Sequence, residues 1–233
     1  MMEVATRQVY FTPALFDFLR QLKKHNDRKW FLENKTRYEA DVRDPALRFI
    51  EAIGPGLVKL SPHLRADPKP VGGSLFRINR DIRFSKDKSP YKTAVGIAFG
   101  HDRGRERAAP GMYLQLEPGT SWAGGGVHMP DGPSLSRIRD AIIAKPSQWT
   151  KIVTDPTFKE AIANQGEALK RAPQGYDANH PLVEDLKRKS FVWHLEFSES
   201  EVCSPGFMAG YLDACRLANP FNAFLAAALG VDW

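Results

Sequence analysis

The sequence predicts an α+β domain with a mostly antiparallel central sheet, flanked by N-terminal and C-terminal helices. Three observations carry this. Helical periodicity dominates both ends of the chain. Short stretches of alternating apolar and polar residues fill the middle. No repeat, linker or low-complexity tract divides the 233 residues, so residues 11–230 are expected to form a single domain.

The first helix starts at Thr12-Pro13, because proline is tolerated in a first helical turn. Leu15, Phe18, Leu19 and Leu22 then follow the i, i+3, i+4, i+7 spacing of one buried face. Asn26 or Asp27 can cap a second helix carrying Trp30, Phe31, Tyr38 and Val42. Pro45 opens a third segment with Leu47, Ile50 and Ile53, and Gly54-Pro55-Gly56 should kink or end it. Residues 62–73 are loop-like in composition.

Strand patterns follow. Leu75, Arg77 and Asn79 alternate with Phe76, Ile78 and Arg80. Val95, Ile97 and Phe99 share one face of the next strand. Met112, Leu114 and Leu116 alternate with Tyr113, Gln115 and Glu117. Such alternation marks half-buried antiparallel strands. His101 to Pro110 is a charged connection, and Thr120 to Val127 is a further strand ending in Gly124-Gly125-Gly126. After Pro130-Asp131-Gly132-Pro133 comes a helix with Leu135, Ile138 and Ile142, beginning near Ser134. Short helices are expected around Trp149 and Phe158. Phe191, Trp193, Leu195 and Phe197 form the clearest strand, and helices over 205–217 and 221–229 close the chain, punctuated by Asn219-Pro220.

Composition bounds the functional classes. Hydrophobic residues make up 42%, charged residues 26% and aromatic residues 11%, enough for a sizeable core and too much for a disordered chain. No stretch approaches the ~20 apolar residues of a membrane span, so no membrane partner is expected. The first ten residues contain no signal-type apolar run. Cys203 and Cys215 are twelve apart, roughly 18 Å along an unbroken helix, whereas a disulfide needs Cα atoms within about 7 Å. Reduced thiols and a cytoplasmic location follow as the expectation.

The net charge of +6 is concentrated. Between Arg77 and Lys92, in RINRDIRFSKDKSPYK, six basic residues face two acidic ones, a net +4. Arginine forks and lysine point charges at close spacing suit phosphate or carboxylate. The segment therefore predicts an anionic-ligand site of Arg77, Asn79, Arg80, Arg83, Lys86, Lys88, Tyr91 and Lys92, converging on one pocket as a hairpin-like unit. Ordinary solvation of a charged hairpin is the alternative. Gly124, Gly125 and Gly126 precede a helix and could add backbone N–H donors for the same anion; a bulge or tight turn is the alternative.

Standard motifs are absent. The triple glycine fits neither nucleotide template, and no zinc-type cysteine or histidine pair, H-E-x-x-H, EF-hand loop or G-x-S-x-G occurs. No two of the six histidines lie at ligand spacing, so neither metal nor cofactor is expected. Glu117 or His194 are the available acid–base groups, His194 sharing a strand face with Glu196. A phosphorylated or other anionic small molecule leads the functional expectations. Nucleic-acid binding through the same segment, with Phe84 and Tyr91 as stacking groups, is the second, and a protein-interaction module is the third.

Taken together, certain stretches resemble one family. The opening FTPALFDFLRQLKKHNDRKWF with Arg37-Tyr38, then RINRDIRFSKDKSPYKT, Tyr113-Leu114, Gly124-Gly125-Gly126 with Pro130, APQGY at 172–176, His180-Pro181 and 187–190 are similar to domain-of-unknown-function family 2461. One departure stands beside Asn26: His25 and Asp27 flank it where a second asparagine is expected. The resemblance spans about Phe11 to Leu229 and implies a single domain. It implies no reaction, cofactor or catalytic residue.

Overall fold

The computed structural model describes residues 8–104, 106–162 and 167–233. The leader reading of the first ten residues falls mostly on 1–7, outside the described residues, as does Arg105 of the charged connection. Helix α1 (Pro13–Lys24) starts with proline in its first turn and buries Leu15, Phe16, Phe18, Leu19 and Leu22. Asp27 caps α2 (Arg28–Glu33), its carboxylate accepting from the Trp30 N–H at 2.9 Å. The expected second helix is broken in two. α3 (Lys35–Tyr38) runs through a π turn (Glu39–Arg43) into α4 (Asp44–Val58).

Pro55 does not end α4, which continues to Val58. Its loss of one backbone donor is outweighed by the burial of Ile53 and Leu57 on either side. Gly56 serves close approach instead, since a Cβ on it would lie 2.7 Å from Leu212 Cδ1.

Four strands form one antiparallel sheet in the order β1 (Val95–Phe99), β2 (Gly111–Leu116), β3 (Ser121–Val127), β4 (Phe191–Phe197). The α+β expectation holds. β3 and β4 are neighbours although α5 (Gly132–Ala144), α6 (Pro146–Val153), α7 (Lys159–Ile162) and α8 (Val183–Leu186) lie between them in sequence. Val95, Ile97, Phe99, Met112, Leu114, Leu116, Ala123, Val127, Phe191 and Trp193 make the inner face, all buried. Against it pack α10 (Phe207–Leu217) and α11 (Asn219–Leu229), with the short α9 (Glu199–Val202) leading in. Among the described residues no helix is long and apolar enough to cross a membrane. Cys203 and Cys215 are both free thiols.

The 75–80 segment is not a strand. It makes two isolated bridges, Leu75 to Ile97 and Asn79 to Tyr91. Backbone bonds Arg80 N–H to Pro90 O and Lys92 N–H to Ile78 O flank the second bridge and close 79–91 into a hairpin-like loop. The residues leading into that loop lie beside the outer, polar face of the sheet, Phe76 meeting Tyr113 at 5.9 Å between ring centroids.

Candidate functional site

A cleft of about 620 Å³ opens between the end of α1, this loop and the outer face of β1 and β2. Its basic lining comes from Lys23, Arg80 and Lys92, its floor from Gly96, Tyr113, Gln115 and Glu117, and its rim from Asn26, Phe76, Asp87, Ser89 and Tyr91. Gly96 is required by the floor: a Cβ there would meet the Tyr113 hydroxyl at 2.4 Å and Phe76 at 3.1 Å. The β-strand period of two places Tyr113, Gln115 and Glu117 on one face, where they form a chain. The Tyr113 hydroxyl donates to Gln115 Oε1 at 3.4 Å, and Gln115 Nε2 donates to Glu117 Oε2 at 2.7 Å. Burial, then the Glu117 charge, raise the Tyr113 phenol above its ordinary pKa.

The loop is anchored by one side chain. In an antiparallel bridge whose hydrogen bonds fall on the flanking residues, the bridging residue turns its own N–H and C=O away from its partner. Tyr91 does so, and the Asn26 amide meets both groups: Oδ1 accepts from Tyr91 N–H and Nδ2 donates to Tyr91 O, each at 3.0 Å. The Tyr91 ring stacks on Phe31 at 4.1 Å. Tyr91 is thus buried structure at the cleft's edge rather than a free stacking group.

Of the basic residues between 77 and 92, the cleft takes Arg80 and Lys92. Lys92 is half-buried, donates to Arg77 O at 3.0 Å and lies 5.3 Å from the Phe76 ring centroid. Burial, then the Arg77 charge, lower its pKa. Arg80 pairs with Asp87, whose carboxyl is held well below its ordinary range by the Ser89 hydroxyl and N–H and by Arg80.

The expected convergence of all six cations does not occur. Arg83 turns to Asp81 in solvent at 2.6 Å, Lys88 donates to Ile82 O, and Arg77, Asn79 and Lys86 are exposed outside the cleft lining. Arg83 is captured by the carboxylate two residues before it and Lys88 by a backbone carbonyl, rather than by a shared pocket.

Gly124, Gly125 and Gly126 also lie elsewhere. All three pair with both β2 and β4 inside the sheet, so they are not a loop before a helix. Close packing accounts for them: a Cβ on Gly124 would meet Trp122 at 2.6 Å and one on Gly125 the Gly111 carbonyl at 2.4 Å. Gly126 has φ +100°. Glu117 is in the cleft, but His194 is not. β3 lies between β2 and β4, and the His194 ring stacks on Trp122 at 4.7 Å. Burial lowers the His194 pKa against the opposing pull of Glu196, which is 3.8 Å away.

Spacing along the chain also concealed a histidine pair. His63 and His101 stack at 5.0 Å and 10°, with Asp102 beside them. Lys23, Asn26 and Gly96 of the cleft carried no motif either; the one signal was that Lys23 falls off the apolar face of α1 at its last turn.

Fold and cleft define a two-layer α+β domain with one sheet face open to a cleft that carries three basic and two acidic side chains. The chain belongs to the conserved hypothetical protein family DUF2461, whose family model matches residues 14–224. No curated protein and no solved structure matches the chain.

Proposed function

We propose that the protein binds a small anionic molecule, a phosphorylated one first, in the cleft beneath the 79–91 loop. The observation that carries this reading is the meeting of Lys23, Arg80 and Lys92 in one concavity, three cations against the two carboxylates of Asp87 and Glu117, with uncharged donors and an aromatic wall. Its volume of about 620 Å³ lies within the ~300–1,000 Å³ range of small-molecule sites. A half-buried lysine with no carboxylate partner of its own among the described residues is a favourable place for an anion, because desolvation strengthens the charge–charge attraction. Of the two carboxylates in the cleft lining, Asp87 is taken by Arg80, and Glu117 is suited to accept a hydroxyl or amine hydrogen from the same ligand. A cytosolic setting is supported by the two free thiols.

A panel of inorganic phosphate, pyrophosphate, sugar phosphates, nucleotides and dicarboxylates, read by melting temperature, tests this. A ligand at 100 times its Kd adds about 2.7 kcal/mol, which is several degrees for a chain of this size. Lys92→Met should remove the shift, and Arg83→Glu, outside the cleft, should keep it. Absence of any shift across the panel, or an equal shift in Lys92→Met, refutes the reading.

Nucleic-acid binding retains one supporting feature. Phe84 stands 95% exposed at the loop tip, with Arg83 over its ring at 5.8 Å and Lys86 and Lys88 close in sequence. This reading requires affinity for single strands that falls steeply with salt and is lost in Phe84→Ala.

A further inference from the structure

At the far end of β1, His63, His101 and Asp102 bring one donor atom each within 4.8 Å of the others. We propose that these three side chains bind a divalent transition-metal ion such as Zn²⁺. Two segments supply them: His63 lies in the loop after α4, and His101 and Asp102 directly follow β1.

The hydrogen bonds around His101 set its tautomer. Nε2 faces the Asp232 carbonyl at 2.8 Å, and a carbonyl can only accept, so Nε2 carries the proton. The Arg103 backbone N–H donates to Nδ1 at 3.1 Å, so Nδ1 presents a lone pair. This is the arrangement of a metal-ligating histidine, which gives its other ring N–H to a carbonyl or carboxylate and is thereby held in orientation. The side chain is 1% exposed, which fixes the ring further.

That lone pair lies 3.1 Å from Asp102 Oδ1. A cation between these two atoms would take both as ligands, replacing the Arg103 N–H that Nδ1 accepts in this structure. His63 Nδ1 is 3.1 Å from the other carboxylate oxygen. For metal–ligand bonds of about 2.1 Å, neighbouring ligands are separated by about 3.0 Å in octahedral and about 3.4 Å in tetrahedral geometry. The 3.1 Å between His101 Nδ1 and Asp102 Oδ1 lies between these values, and the three donor atoms all fall within 4.8 Å of one another. Arg65 donates to Asp102 Oδ2 at 2.7 Å and leaves Oδ1 for the metal.

Two His and one carboxylate leave coordination positions open. These face a cavity of about 200 Å³ lined also by Arg103, Arg107 and Asp232. Binding displaces the Arg103 N–H bond to His101 Nδ1 and the hydrogen bond between His63 Nδ1 and Asp102, so affinity is set by that competition.

Zn²⁺ titration by calorimetry and Co²⁺ titration by visible absorption, both on the full chain, test the proposal. One ion per chain is expected. His63→Ala and Asp102→Asn should each weaken it about tenfold or more, whereas His128→Ala, at an exposed position elsewhere, should not. Circular dichroism checks that each variant is folded, and His63→Gln replaces any that is not. The wild-type Co²⁺ spectrum, with the altered d–d band of nitrogen ligation, gives a readout independent of all variants. No binding up to about 1 mM, or binding unchanged in a folded His63 variant, overturns the site.

Discussion

Asn26→Ala is the most direct probe of how the cleft is built. The substitution removes two hydrogen bonds of 3.0 Å and leaves the Tyr91 N–H and C=O without a partner. Each bond contributes about 0.5–1.5 kcal/mol net, and an orphaned buried group costs about 1–3 kcal/mol. Asn26 lines the open cleft, so water can reach part of the vacated space and soften the loss. The expected destabilisation is about 2 kcal/mol, a fall in Tm of roughly 4–8 °C at about 2–4 °C per kcal/mol. Asn26→Asp retains an acceptor for the N–H but sets a carboxylate oxygen against the Tyr91 carbonyl, and should lose nearly as much. Thermal melting gives the total, and amide hydrogen exchange locates it: the Tyr91 N–H should become unprotected while the amides of β2 and β3 stay protected. A melt within about 1 °C of wild type, with Tyr91 still protected, would falsify the anchor and with it the account of how Arg80 and Lys92 are positioned.

Further outcomes follow from other parts of the fold. Gly126→Ala should cost about 3 kcal/mol or more, because the residue has φ +100° and a Cβ there would lie 2.2 Å from the Phe191 carbonyl oxygen. A soluble variant with wild-type melting would contradict the packing account of the glycine triplet. The Cys215 thiol, wholly buried, is pushed up to about 12, and Cys203 is raised by burial and then by Glu199. A thiol reagent at pH 8 should therefore modify the native protein slowly and at Cys203 alone, and both sites after unfolding; rapid modification of two native thiols would count against this. Anion affinity should fall as pH rises through the lowered Lys92 pKa, below the ordinary lysine value of about 10.4. That step should be absent in Lys92→Met.

Local rules made most of the fold legible. The alternation in 112–117 and 191–197 became β2 and β4, and the apolar spacing of 15–22 became the buried face of α1, because each pattern serves one flat layer of core. Reading failed where a local signal met a tertiary demand. Gly54-Pro55-Gly56 looks like a helix end, yet α4 continues because Gly56 lets it approach Leu212. The alternation expected over 75–80 does not hold: Leu75 and Ile78, three residues apart, turn inward from a loop while Phe76, Arg77 and Asn79 are exposed. The cleft was half legible. Lys92, Arg80 and Glu117 stood out by charge, whereas Asn26 contributes through the backbone of a residue 65 positions away, and no sequence spacing encodes that. Charge clustering overstated the site for a physical reason: Asp81 holds Arg83 outside the cleft, and Asp87 offsets the charge that Arg80 brings into it.

The two candidate sites sit at opposite ends of the same edge strand. Ala94 and Gly96 lie at the cleft, and His101 follows the last residue of β1. Five residues from Gly96 to His101, at about 3.4 Å each, put roughly 17 Å between them. One small ligand cannot span that distance and fill both. Sites more than about 10 Å apart without shared partners act additively, so Zn²⁺ should leave anion affinity in the cleft unchanged, and His63→Ala should leave the Lys92-dependent shift intact. A change in either would mean that β1 itself moves between two positions. The Leu75–Ile97 bridge is the place to look, because it is where the loop, the strand and the core meet.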